Sequence, residues 1–279
     1  MVVRRELRLV DGRTLCAYDT GGAQAPALVW HHGSPQSGAP LTPLVEAAAR
    51  RSLRLVTYGR PSYGGSTPQP GRDVASAAGD VAQIADALGL ERFAVMGASG
   101  GGPPALACAA LMPERVTGVV CLAGLAPYTG DPDWFDGMIN PGGPKAALEG
   151  REARARYAET AEFDERSFTA ADYEILAGAW KSLGEDAGHA GTAWPDGLVD
   201  DDVSSMKPWG FEPAQVEAPV LVVHGGEDRV VPAAHAQLLL EGCPRAELWL
   251  RPRDGHVSIL AAVPLALDWL RIYAESSEG

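Results

Sequence analysis

Two apolar patterns follow one another along this chain. Residues 4–10 and 13–19 alternate charged and apolar positions on either side of Asp11-Gly12, which predicts two antiparallel strands joined by a tight turn. From residue 27 onward the apolar positions instead form short unbroken runs, at 27–31, 53–57, 93–96, 116–123, 219–224 and 246–250. Runs of that length suit strands covered on both faces. Stretches with helical spacing stand between them at 41–51, 74–88, 103–112 and 232–240, and a last amphipathic stretch covers 257–275. Strands and helices in this alternation build a parallel sheet with crossover helices, so the class expected is α/β, with a mostly parallel eight-stranded sheet flanked by helices.

The rhythm breaks once. Between the runs ending at 123 and beginning at 219 the composition shifts to Asp, Gly, Pro and Trp, with helix-like stretches at 145–158 and 169–183. The organisation expected is a core of residues 1–125 and 213–279, with residues 126–212 inserted as a helical cap over the sheet. Trp134, Phe135, Trp180, Trp194 and Trp209 fall in this insertion. They read first as the large side chains a small helical unit needs for its own core, and second as an aromatic lining for a substrate. Asp200-Asp201-Asp202 reads as a solvated helix start, where acidic residues complement the dipole.

Composition narrows the range of partners. With 279 residues, 46% of them hydrophobic, the chain can bury a substantial core, and a formal net charge of −13 argues against nucleic acid. The N-terminus lacks the apolar core of a signal peptide, and no window holds 18 uninterrupted apolar residues, so a cytoplasmic protein with no membrane partner is expected. Cys16, Cys108, Cys121 and Cys243 fall singly in apolar settings and read as reduced, buried thiols rather than metal ligands. Neither a metal nor another cofactor is expected; the partner is a small-molecule substrate, and the oligomeric state is left open.

The candidate chemistry begins at Gly97-Ala98-Ser99-Gly100-Gly101, directly after the run at 93–96 and before the helical stretch opened by Pro103-Pro104. A serine on a sharp strand-to-helix turn exposes its hydroxyl, and the glycines leave room for the turn. To act as a nucleophile it needs a histidine to take its proton and a carboxylate to hold that imidazole's tautomer. Reacting groups in such sheets gather at the carboxyl ends of strands, and the loops after 219–224 and 246–250 carry Glu227-Asp228 and Asp254-Gly255-His256. The order Ser, Asp, His results, with Asp131 and Asp133 as other candidates for the carboxylate. Of the remaining histidines, at least one of His31 and His32 reads as structural and His224 as a packed core residue, while His189 and His235 read as solvent-facing.

Four segments together resemble the α/β-hydrolase superfamily: His32-Gly33-Ser34-Pro35, the stretch from Gly59 to Ser66, the turn at Ser99, and the pair formed by 225–232 and 254–256. The resemblance implies that Ser99 is the nucleophile, His256 the general base and acid, and Asp228 the orienting carboxylate. It also implies an oxyanion hole made by the backbone amides of Ser34 and Gly100, and a sheet in which only the second strand runs antiparallel. Gly59 and Ser62 depart from the usual Asp-Arg-x-Gly pattern. A serine at the nucleophile position argues against the dehalogenase and epoxide hydrolase branches, whose chemistry needs a carboxylate there. The function expected is a carboxylesterase-like serine hydrolase acting on a small or medium ester through an acyl-enzyme. Rival readings are an aminopeptidase of the proline iminopeptidase type, with Glu149, Glu152, Glu159 or Glu162 receiving an α-ammonium group, a thioesterase or lactonase, a carbon–carbon bond hydrolase, and a non-hydrolytic protein of the same fold.

Overall fold

The computed structural model describes residues 2–275. Eight strands form one sheet: β1 (Val3–Arg8), β2 (Thr14–Asp19), β3 (Ala27–His31), β4 (Arg54–Tyr58), β5 (Phe93–Ala98), β6 (Val116–Leu122), β7 (Val220–Gly225) and β8 (Ala246–Arg251). Their order is β1-β2-β4-β3-β5-β6-β7-β8. β2 pairs antiparallel with both β1 and β4, and every later pairing is parallel, so β2 alone is reversed. The α/β class and the mostly parallel sheet therefore stand as expected.

Successive residues of the central strands feed opposite cores, as the period of two requires. On one face Val29, Val56, Phe93, Val95, Val119 and Val222 pack with residues of α2 (Ser76–Leu88), α3 (Gly102–Leu111) and α9 (Ala234–Gly242). On the other, Leu28, Trp30, Leu55, Met96, Val120, Leu221 and Val223 meet α1 (Thr42–Ala49) and α10 (Val263–Glu275). Only the central strands are enclosed. β1 is almost wholly exposed and carries Arg4, Arg5 and Glu6, charges that discourage pairing with another edge. All four cysteines are buried free thiols. Among the described residues no helix is long and apolar enough to cross a membrane.

Between β6 and β7 lie α4 (Gly142–Leu148), α5 (Arg151–Ala158), α6 (Ala170–Ala177), α7 (Lys181–Ala193) and α8 (Pro195–Ser205). Each of the two helical stretches read from the sequence is broken here. Gly150, at φ +106°, caps α5 and separates it from α4, and Gly178 ends α6 before α7 begins. α8 escaped the sequence reading, although Pro195 at its first position and Asp196 in its first turn are start signals. The terminal helix is also divided, because Pro264 has no N–H to return to Leu260; a 3₁₀ turn at Ser258–Ala262 precedes α10.

The aromatic residues of this segment do not share one role. Trp134 and Phe135 pack on each other and on Tyr128, whereas Trp180 belongs to the core on the α1/α10 face and Trp209 to the core on the α2/α3 face. Trp194 is half-buried against His189.

Candidate active site

Ser99, Asp228 and His256 come from three separate loops at the carboxyl ends of β5, β7 and β8. β5 ends at Ala98, and Ser99 adopts φ +52°, a left-handed conformation disfavoured for a residue with a Cβ by about 1–2 kcal/mol. Glycine is what allows this turn to close. A Cβ on Gly97 would overlap the Gly101 carbonyl, and one on Gly101 would overlap the carbonyls of His31 and His32. α3 leaves the turn at once, with Pro103 and Pro104 in its first turn, where a missing N–H costs nothing.

His256 Nε2 lies 3.0 Å from Ser99 Oγ, and His256 Nδ1 lies 2.8 Å from Asp228 Oδ2. A carboxylate can only accept, so in the neutral ring the proton sits on Nδ1 and Nε2 is left to accept from the serine hydroxyl. Asp228 is buried, and its other oxygen accepts from the backbone N–H groups of Val230 and Val231, each at 2.9 Å. Burial by itself disfavours the imidazolium of His256. The charge and hydrogen bond of Asp228, with a further contribution from Asp172, outweigh it and hold the pKa above its ordinary value. The ring is thus a better proton acceptor than a solvent histidine.

The other acidic candidates do not reach this imidazole. Asp131 and Asp133 are exposed, with the Asp131 carboxylate accepting from Asp133 N, and Glu227 is exposed beside Asp228. Glu149, Glu152, Glu159 and Glu162 are all exposed as well. His31 and His32 are both structural. His31 meets the Tyr58 hydroxyl, and His32 donates from Nδ1 to Gly33 O while Nε2 accepts from Arg60 N. Burial, reinforced by the Arg60 charge, pushes His31 down to about 3. His224 is the core residue expected, donating from Nε2 to Val231 O at 2.7 Å. His235 overturns its expectation: it is buried against Trp134 and accepts from Ala126 N, because the start of the inserted segment folds over α9.

The loop after β3 sets Ser34 beside the serine turn. Gly33 faces Ser99 Cβ, and the backbone of Ser34 adjoins Gly100, so the two amides assigned to the oxyanion hole lie next to each other. The Ser34 hydroxyl is committed elsewhere. It donates to Asp201 Oδ2 and accepts from Arg60 Nη2 at 2.9 Å.

Two further carboxylates reach these loops, one not singled out in the sequence and one read there as solvated. Asp172, wholly buried on α6, accepts from Val257 N, Ser258 N and the Ser258 hydroxyl with Oδ1, and from Thr169 N and its hydroxyl with Oδ2. The Thr169-x-x-Asp172 capping box was the available signal. Asp201 is the larger correction. The run Asp200-Asp201-Asp202 is not a solvated helix start but lies in the second half of α8, with Asp200 and Asp201 buried. Asp200 accepts from Ser62 Oγ and Arg151, and Asp201 from Arg60, Arg72 and Tyr63 as well as Ser34. Burial alone would raise the Asp201 pKa; the Arg60 and Arg72 charges hold it well below the usual carboxylate range. Among the described residues no three His, Cys, Asp or Glu side chains converge as a metal site.

Known proteins carry the same framework. A pimeloyl-(acyl-carrier protein) methyl ester esterase of Nitrosomonas europaea is 30% identical over 241 residues, covering 85% of this chain and 90% of its own. A non-heme chloroperoxidase of Streptomyces lividans is 25% identical over 284 residues, covering 91% and 97%. In three dimensions, a thermophilic esterase from Thermogutta terrifontis superposes with a TM-score of 0.73 at 22% identity, over 98% of this chain and 99% of that one. The profile of the alpha/beta hydrolase fold matches residues 26–262. The chain belongs to the alpha/beta hydrolase family.

Proposed function

We propose that this hydrolase cleaves a small or medium-sized ester through an acyl-enzyme formed on Ser99. The observation that carries this reading is the hydrogen-bonded series from Ser99 Oγ through His256 to Asp228. His256 takes the hydroxyl proton as Ser99 Oγ attacks the carbonyl carbon, and Asp228 stabilises the imidazolium that results. The carbonyl oxygen gains negative charge and turns toward the amides of Ser34 and Gly100, where each donor contributes roughly 3–4 kcal/mol to the transition state. Collapse expels the alcohol, protonated by His256. Water then attacks the acyl carbon as His256 takes its proton, and His256 returns that proton to Ser99 Oγ as the acyl carbon–Oγ bond breaks and the acid leaves.

The esterase names of the relative from Nitrosomonas europaea and of the Thermogutta terrifontis structure support an ester over a peptide. So does the exposure of Glu149, Glu152, Glu159 and Glu162, the carboxylates an aminopeptidase reading would enlist. In this proposal residues 126–212 act as the cap that shapes the acyl site.

Ser99→Ala is expected to abolish both turnover of a p-nitrophenyl ester panel and labelling by a fluorophosphonate, with the melting temperature unchanged. Labelling that persists in the variant defeats the assignment of the nucleophile. Wild-type turnover of amino-acid p-nitroanilides in preference to the esters defeats the substrate class.

A further inference from the structure

The spacing of the two oxyanion amides depends on a side chain that the reaction does not use. A Cβ on Gly100 would stand 2.5 Å from Ser34 Oγ and 3.3 Å from Ser34 Cβ, so the Ser34 hydroxymethyl group packs directly on the Gly100 backbone. Any shift of Ser34 therefore moves one amide relative to the other. The hydroxyl cannot drift, because it donates to Asp201 and accepts from Arg60 Nη2.

Asp201 lies 167 residues further along the chain, on α8 of the inserted segment, and its carboxylate is surrounded by donors. Oδ2 accepts from Ser34 Oγ, Arg60 Nη2 at 2.6 Å and Tyr63 OH at 3.0 Å; Oδ1 accepts from Arg60 Nε at 3.2 Å and Arg72 Nη2 at 2.6 Å. Arg60 in turn donates its backbone N–H to His32 Nε2 and its Nη1 to His32 O, which grips the chain two residues before Ser34. Burying such a group is costly, and ion pairs of this kind contribute little net stability over apolar packing. Their physical value is a fixed geometry.

We propose that Asp201 is a positioning residue for the oxyanion hole: through its hydrogen bond from the Ser34 hydroxyl it sets the separation of the Ser34 and Gly100 amides. α8 thereby takes part in the reaction without touching substrate. The inference rests on the assignment of those amides to the oxyanion, as proposed above.

A plain structural tie between α8 and the core would make the same contacts, and Ser34→Ala separates the two. That change keeps the backbone amide and leaves the bonds of Asp201 to Arg60, Arg72 and Tyr63, so α8 stays docked while the link to residue 34 is lost. Ser34→Ala, Asp201→Asn and the double variant of the full chain are compared with wild type for kcat and KM on a p-nitrophenyl ester, counted per fluorophosphonate-titrated site. The rate constant of labelling and the melting temperature are measured alongside.

Deleting an oxyanion donor costs about 10²–10³ in kcat, and displacing one is expected to cost less, about 10-fold. Ser34→Ala is expected to lower kcat by about that factor, with KM within about 2-fold and labelling slowed in parallel, while the Arg60 N–H that loses its acceptor lowers the melting temperature by roughly 2–12 °C. Asp201→Asn loses at least as much, and the double variant no more than Asp201→Asn alone, since both changes break one link. A Ser34→Ala enzyme that keeps wild-type kcat per titrated site overturns the inference, whatever the fate of Asp201→Asn, and leaves the hydrolase reading standing. A wild-type chain that turns over no ester and whose Ser99 takes no label overturns both.

Discussion

Asp172 offers the clearest single perturbation, because one substitution alters two separate measurements. Asparagine keeps its volume and can present its carbonyl oxygen to Val257 N and Ser258 N. The amide then turns an NH₂ toward Thr169 N, where the carboxylate now accepts at 2.8 Å. One buried backbone donor loses its acceptor, at a cost of about 1–3 kcal/mol. At about 2–4 °C per kcal/mol for a chain near this size, the melting temperature should fall by roughly 2–12 °C. The second measurement is the pH profile of kcat/KM. Within the site His256 faces Asp228, Asp172, Ser99 and His224, and His224 is kept from protonating chiefly by its burial. The base must be neutral, so activity rises as pH climbs through the His256 pKa. That pKa lies above its ordinary value, and the wild-type acid limb is therefore expected above about pH 6.5. Removing the Asp172 charge withdraws one of the two negative groups holding it there, so the limb moves to lower pH. Stability should respond in the opposite pH range. Burial alone would raise the Asp172 pKa, but the hydrogen bonds from Ser258, Thr169 and Val257 lower it, a contribution present above about pH 4 and lost as pH falls through the folded value. Differential scanning calorimetry across pH and initial rates from pH 5 to 9 supply both readouts. An unchanged melting temperature together with an unmoved acid limb would refute the role given to this carboxylate.

Two other changes probe the serine turn and its partners. Asp228→Asn should leave the fold intact but favour the wrong imidazole tautomer, lowering kcat by about 10⁴ with KM little altered; turnover within 10-fold of wild type would show that another group orients His256. Gly101→Ala places a methyl group on the carbonyls of His31 and His32, which lie in backbone that cannot yield easily. Overpacking of this kind costs about 1–3 kcal/mol, visible as a lowered melting temperature and slower labelling of Ser99, and a variant indistinguishable from wild type in both would show that the turn tolerates a side chain there.

What could be read from the sequence was local. A strand end and the loop after it are adjacent in the chain, so the loops that carry Ser99, Asp228 and His256 followed from the apolar runs before them, while the choice of Asp228 among the acidic candidates came from the family resemblance. The opening hairpin was legible for the same reason. The interior of 126–212 was harder, because glycines there carry helix starts and stops that a smooth periodicity conceals, as Gly150 does between α4 and α5. Least legible were the buried polar groups. Nothing near Asp201 in sequence announces Arg60, Arg72 or Ser34, and an acidic triplet in isolation reads as solvated. His235 failed in the same way, since the group that encloses it, Trp134, lies on the far side of β7 in the chain.

Several buried and half-buried carboxylates of the inserted segment share a direction. Asp172 on α6 reaches the loop after β8, Asp186 on α7 accepts from Ser37 N and Oγ in the loop after β3, and Asp200 and Asp201 on α8 reach Ser62 and Arg60 in the loop after β4. Three helices of the inserted segment thus each send a carboxylate to a different strand-end loop. Hydrogen bonds to charged groups contribute about 1.5–3 kcal/mol apiece, and swinging the segment away as a unit would surrender all of these together. A segment bound in this way constrains the loops that carry Ser34 and His256 as much as it covers them. Substitutions inside 126–212 should then register in kcat as readily as in KM, which is the pattern expected of scaffold and not of a detachable lid.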